Sequence, residues 1–548
     1  MIKLQIENDK EIDLLPEQFS NILEQKQHFE YPQLQIHEEK QEHTLICSLK
    51  ILIKQNNQID SQFSQNLANL LILNKNLTNF QLIIEGSNKL DEECSFYLGE
   101  AIKECQNIEH LTFKIEDQNN MTQILAYILQ GISFCKKIKE FRFHVGEQQI
   151  GEEFGMDGSR MLGFVLNEFK HLEKLQITLG NNNLIDAESF ELICEGIKDQ
   201  TFLQEFSLNI GDFNGLGVQG LSQISQLVAS NQGLKFLCLK FGKHNQVNDQ
   251  GLRLLESGFQ NCHSLEQFIL EIKQDNQIGE SGLKSIGGLM HNLSKLIQLG
   301  INLGKQCCPS SNGFQYLLSE IKSCENLKNL KILIGDGNHF GEIGSIGFEQ
   351  GLQYLQYLEE LNIHVGDDNN LKSTGTKNLA SSIRKYQNLK ILKMSILYNE
   401  IGKIGAQELA LSLQNFSSLI QFNLHLGNCN FIESEGIESL SQAFQKLKNL
   451  RFLDIHMGNG NKIGNQGIIE ISKSLSSLKQ LVYLGFSFGA NKLNRDALKC
   501  LQKVILTLQN LNVFRFNIYK NEKIKSQEIS QFLKSFMKLK KLVNILPY

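Results

Sequence analysis

No stretch of about 18 consecutive apolar residues occurs in the 548-residue chain, so no membrane-spanning helix is expected. Basic residues do not exceed acidic ones: 54 Lys and Arg stand against 59 Asp and Glu, with no basic stripe. A nucleic-acid backbone needs a concentrated positive face, and that class of partner is therefore set aside. The opening residues, Met1-Ile-Lys-Leu-Gln-Ile-Glu-Asn-Asp-Lys10, lack the charged-then-apolar order of a secretory signal, so a cytoplasmic protein is expected. Tryptophan is absent and proline numbers four, while Gln, Asn, Lys and Ile are plentiful. That bias reads as the coding of an AT-rich genome and carries no functional signal. No Ser/His/Asp or Cys/His arrangement stands in a supporting motif, so no catalytic group and no cofactor are expected.

What the chain does have is one pattern, repeated about sixteen times at a spacing of about 31 residues. It reads Leu203-Gln-Glu-Phe206-Ser-Leu208-Asn-Ile210-Gly211, then Leu234 with Leu237, Leu239 and Phe241, then Leu265 with Phe268, Leu270 and Ile272. A fixed period of this length is the mark of stacked supersecondary units sharing one continuous core. With the first apolar residue as position zero, positions three, five and seven are apolar, the period-two pattern of a short strand with one buried face. Asn recurs ten or eleven residues on, as at Asn57, Asn88, Asn119, Asn214, Asn338, Asn369, Asn399, Asn430, Asn461, Asn491 and Asn521. Its amide is suited to a ladder that satisfies backbone groups of its own turn and the adjacent one. Apolar residues three or four apart then give one helix face, as in Gly251-Leu252-Arg-Leu254-Leu255.

This unit of strand, Asn turn and helix resembles the ribonuclease-inhibitor type of leucine-rich repeat, from about Ile46 to Leu542. The resemblance implies an α/β solenoid shaped as a horseshoe, with a parallel sheet on the concave side and helices on the convex side. Two or three residues more than usual separate strand from Asn, as in Ile363-His-Val365-Gly366-Asp-Asp-Asn369. The expected organisation is an N-terminal cap at 1–42, the solenoid at 43–538 and a partial repeat at 539–548. The segment Leu14-Leu-Pro16 to Glu24 resembles the opening of an F-box, and Pro16 also suits the start of a cap helix.

Cys105, Cys135, Cys262 and Cys324 each lie three residues before a strand motif, where other repeats place Phe169, Tyr386, Phe416 or Leu447. A slot shared by Cys, Leu and Phe is a core slot, and a reducing compartment fits. Cys307-Cys308-Pro309 is spaced wrongly for zinc. Gly335-Asp-Gly337-Asn-His-Phe-Gly341 and Gly458-Asn-Gly460-Asn-Lys-Ile-Gly464 have the look of phosphate loops, but both fall on the repeat phase and read as repeat turns. Glu116-Asp117 and Asp367-Asp368 lack the spacing of a calcium loop.

Alternation assigns positions two, four and six to the concave face. Position six carries His144, His364, His425 and His456; His425 and His456, in one column of consecutive strands, are expected side by side, and Asp454 shares the face of His456. Spacing alone shows no third converging ligand, so no metal site is expected. Position two carries Ile391, Phe452, Tyr483 and Val513, an apolar and partly aromatic strip of the kind that anchors protein interfaces. The expected function is a non-enzymatic scaffold that binds a protein partner through Phe452, Asp454, His456, Tyr483, Arg515, His425, Ile391 and Val513. The repeat type also resembles the fold of the Ran GTPase-activating protein and of ubiquitin-ligase substrate adaptors. The alternatives are accordingly a regulatory protein of either kind, or a structural part of a cytoskeletal or ciliary assembly.

Overall fold

The computed structural model describes residues 47–54, 61–86, 88, 92–116, 121–147, 154–521 and 523–536, together with the backbone of short strands at 2–6, 10–14, 30–31, 34–35 and 544–547. Pro16 and the F-box-like residues 15–24, Asn57, Asp117, Asn119 and the loop residues 151–153 lie outside the described residues.

The repeat pattern folds as its periods require. Among the described residues, sixteen motif strands of five or six residues alternate with helices in a leucine-rich-repeat solenoid. In each, positions three, five and seven are buried while positions two and six stay exposed or half-buried; strand Glu205–Ile210 is typical. The chain divides into two compact units. The first, residues 1–247 with 257–265, holds seven motif strands from Ser48–Ile53 to Phe236–Phe241. The second, residues 248–256 with 266–548, holds nine, from Gln267–Ile272 to Val513–Asn517.

Within each unit neighbouring strands pair in parallel, one repeat apart. Glu205 faces Phe236, and Phe452 faces Tyr483. The widest step, from Glu140 to Lys174, keeps the same register across a longer connection. At the first unit's edge, strand Ile2–Ile6 pairs antiparallel with Ser48–Ile53 and with Lys10–Leu14, so the N-terminal residues cover that edge with a hairpin. At the other end Asn544–Pro547 adds a further parallel strand beside Val513–Asn517.

Tight stacking of the turns explains the glycine that closes most strands. A Cβ on Gly211 would lie 2.4 Å from the carbonyl carbon of Gly180, one repeat earlier, closer than any side chain tolerates. The asparagine ladder then fastens the turns. Asn369 Nδ2 donates to the carbonyls of Gly366 (3.1 Å) and Gly335 (2.8 Å), its own turn and the previous one. Its Oδ1 accepts from the amide of Asn338 at 3.0 Å. Asn338, Asn399 and Asn491 repeat the pattern, with Oδ1 of Asn369, Asn430 and Asn521 as acceptors. Cys307 takes the asparagine place in one repeat, buried with its thiol 3.0 Å from that of Cys308.

Cys105, Cys135, Cys262 and Cys324 lie in the core, unbridged. Burial pushes the Cys135 and Cys324 thiols up to about 12 and those of Cys105 and Cys262 up to about 11.

Candidate functional site

The face opposite the helices, called here the open face, presents positions two, four and six of every strand. In the second unit five consecutive strands, Ile391–Ile396, Gln421–Leu426, Phe452–Met457, Tyr483–Ser487 and Val513–Asn517, line these positions up in rows. The row at position six runs Ser395, His425, His456, Ser487, Asn517. The row at position four runs Lys393, Asn423, Asp454, Gly485, Arg515.

Register brings His425 and His456 side by side, ring centroids 4.3 Å apart. Period-two alternation places Asp454 on the same face as His456, and its carboxylate stands against both rings. Asp454 Oδ2 is 3.4 Å from His425 Nε2, and Oδ1 is 3.2 Å from His456 Nε2. Asn423 Nδ2 lies 3.5 Å from Oδ2. The Asp454 side chain is only 13% exposed. Its burial raises the cost of charge, but hydrogen bonds from His425 and His456 and their positive character outweigh that and hold its carboxyl well below the usual carboxylate range. The expectation of no metal site thus meets three converging ligand groups. His425 and His456 stand side by side as their shared repeat column leads one to expect, and the convergence of Asp454 on both rings is what the structure adds.

The row at position two is less continuous than the sequence suggests. Phe452, 40% exposed, has its ring 6.5 Å from that of Tyr483 and tilted by 34°. Arg515 places its guanidinium carbon 5.8 Å from the centre of the Tyr483 ring on the far side. Half-buried Val513 extends this strip beyond Tyr483. Ile391 does not join it. Gln421 stands between Ile391 and Phe452, its amide turned to Asn423 Oδ1 at 2.8 Å. Gln421 occupies position two of its motif, so counting every repeat finds the interruption. Gly485 likewise separates Asp454 from Arg515 in their row.

The remaining histidines stay apart from this cluster. Ser395 separates His364 from His425, and His144 belongs to the first unit. On the first unit's open face, charge is paired instead: across strands Glu140 meets His110 at 3.1 Å and Lys174 meets Glu205 at 2.7 Å, and within its own strand Glu140 meets Arg142 at 2.6 Å. Phe236 borders this charged patch, facing Glu205 in the register.

The two glycine-rich turns spend their amides on the stack. Gly337 and Gly341 donate to the carbonyls of Asp367 and Asn369, and Gly464 donates to that of Asn491. Those amides are therefore engaged where a phosphate would need them. Asp336 Oδ1 accepts from the Asp367 amide at 2.9 Å, a turn contact between repeats.

No protein-family model matches the sequence, and no curated protein matches it. Among solved structures, a leucine-rich-repeat protein of Leptospira interrogans is similar over 90% of this chain and 94% of its own, at 17% identity and a TM-score of 0.42. The mouse RP105/MD-1 complex is similar over 85% of this chain and 71% of its own, at 15% identity and a TM-score of 0.44. The Drosophila Toll–Spätzle complex is similar over 84% of this chain and 52% of its own, at 12% identity and a TM-score of 0.40. Among the described residues, no helix is long and apolar enough to cross a membrane.

Proposed function

We propose that this chain is a non-enzymatic scaffold of the ribonuclease-inhibitor repeat type that binds a protein partner on the open face of its second unit. The observation that carries the reading is the strip of Phe452, Tyr483 and Arg515, an exposed Phe beside a half-buried Tyr with a guanidinium on the far side of the Tyr ring. Aromatic residues and Arg dominate the energetic centres of protein interfaces. Asp454, His425 and His456 supply the polar margin, Val513 extends the apolar part, and Ile391 is an outlying contact across Gln421. Strands locked by the asparagine ladder hold these groups in place before binding, so little ordering entropy opposes association. The protein partner stays unspecified by the chemistry, and no nucleic acid or membrane is called for. The reading takes the solenoid as residues 43–538 with caps at 1–42 and 539–548, in a cytoplasmic setting that suits its buried thiols.

The test is affinity purification of the tagged chain from native extract beside Phe452→Ala/Tyr483→Ala. The expected result is specific loss of one or a few co-eluting proteins from the doubly substituted chain. Exposed positions tolerate this change, so circular dichroism should be unaltered. An unchanged set of partners removes the proposed site.

A further inference from the structure

We propose that His425, Asp454 and His456 form a binding site for a divalent transition-metal ion of the Zn²⁺ class. The ligand atoms of these three residues lie within 4.8 Å of one another. Zinc bonded at about 2.0–2.1 Å to nitrogen and oxygen in a tetrahedron separates its ligand atoms by about 3.3 Å. The two His–Asp separations, 3.4 Å to Oδ2 and 3.2 Å to Oδ1, are each close to that edge but run to the two different oxygens of the carboxylate. They are long for charge-assisted hydrogen bonds, which favour about 2.7–2.9 Å. Closure on an ion needs the Asp454 carboxylate to turn one oxygen to both rings and the imidazoles, with ring centroids 4.3 Å apart, to draw in slightly.

The donor set fits this class of ion. Two imidazoles and one carboxylate suit zinc, cobalt or nickel, whereas calcium and magnesium require mostly oxygen. Rigidity comes from the backbone: His425 and His456 are register partners on adjacent parallel strands, and Asp454 is two residues from His456 on the same strand. The site is therefore spaced by the sheet and not by a loop. Asn423, 3.5 Å from Asp454 Oδ2, stands where an outer partner would orient the carboxylate. Both imidazoles remain partly accessible, His425 at 37% and His456 at 28%, so an ion can enter from solvent and keep a fourth position open. The inference concerns ion binding alone and does not depend on the partner reading above.

The experiment is calorimetric titration of the full chain, stripped with a chelator and fully reduced, with ZnCl₂ alone, beside His425→Ala, His456→Ala and His364→Ala. Wild type and His364→Ala should each take up one equivalent at the same affinity. Each of the other two should bind at least about a hundredfold more weakly, since even outer partners of metal ligands are worth 10–100-fold. Saturation by Co²⁺ gives a readout on the wild-type chain that needs no variant: visible absorption of four-coordinate nitrogen and oxygen ligation is expected. Absence of uptake by wild type, uptake undiminished in both histidine variants, or the near-ultraviolet bands of cobalt bound to thiolate would each overturn the site.

Discussion

A single amide holds three backbone groups in the asparagine ladder, so the residue scale is where stability is most concentrated. Asn369→Ala leaves the Asn338 backbone amide without a partner in a buried turn, whereas the Gly335 and Gly366 carbonyls keep the side-chain amides of Asn338 and Asn399 as donors. The expected cost is roughly 1–3 kcal/mol, that of one orphaned buried group. Chemical denaturation would measure it, and Asn369→Asp should fare no better, since a carboxylate retains the acceptor but loses both donors. His364 offers a pH test. Burial pulls its pKa below the ordinary 6.5, against the nearby charges of Asp336 and Asp367, which pull upward, and with that of His425, which lowers it further. A histidine depressed in the folded chain takes its proton first in the unfolded chain, so folding is favoured above the unfolded pKa and loses ground as pH falls below it. His364→Gln should therefore flatten the loss of stability between about pH 7 and pH 5, where histidines titrate. An unchanged pH profile would show that His364 is not the group responsible.

At the scale of the element, the junction between turn and helix decides which substitutions are gains. Gly341, Gly402 and Gly464 open their helices with φ near +64°. At the same phase Lys372 and Glu433 adopt φ of 54° and 59°, a left-handed backbone that side chains with a Cβ resist. Lys372→Gly should raise stability by roughly 0.5–1 kcal/mol, the left-handed penalty less the extra chain entropy of glycine. Its amide keeps the hydrogen bond to the Asn399 carbonyl, and the long contact of its ammonium with Glu342 is exposed and of little weight. Gly211→Ala tests the opposite case, a close approach of two turns instead of a dihedral. With only 2.4 Å to the Gly180 carbonyl carbon, the methyl forces the turns apart, and a loss of about 1–3 kcal/mol is expected. A melting temperature unchanged by this substitution would mean that the stack yields freely there.

Across the whole molecule, thiol chemistry reports how completely the repeats close. Cys47 is exposed, whereas Cys105, Cys135, Cys262, Cys307, Cys308 and Cys324 are buried. Brief labelling of the native chain by a thiol reagent should modify Cys47 and spare those six until denaturant is added, as read by peptide mass spectrometry. Rapid native labelling of Cys135 or Cys324 would contradict the packing described. Those cysteines were legible as core from sequence, because the same slot elsewhere holds Phe or Leu. The repeat, its strand, asparagine turn and helix were equally legible: period two and spacings of three to four are local properties that each repeat states again. Hydrophobic alternation alone also assigned Phe452, Asp454, His456 and Tyr483 to one face of their strands. What it left open was distance across the sheet. The shared repeat column had already placed His425 beside His456, and parallel pairing then closes Asp454 onto both, at 3.4 and 3.2 Å. That convergence joins Asp454 to His425 on the neighbouring strand, and only the packed distance between the strands and the turn of the side chains decides it.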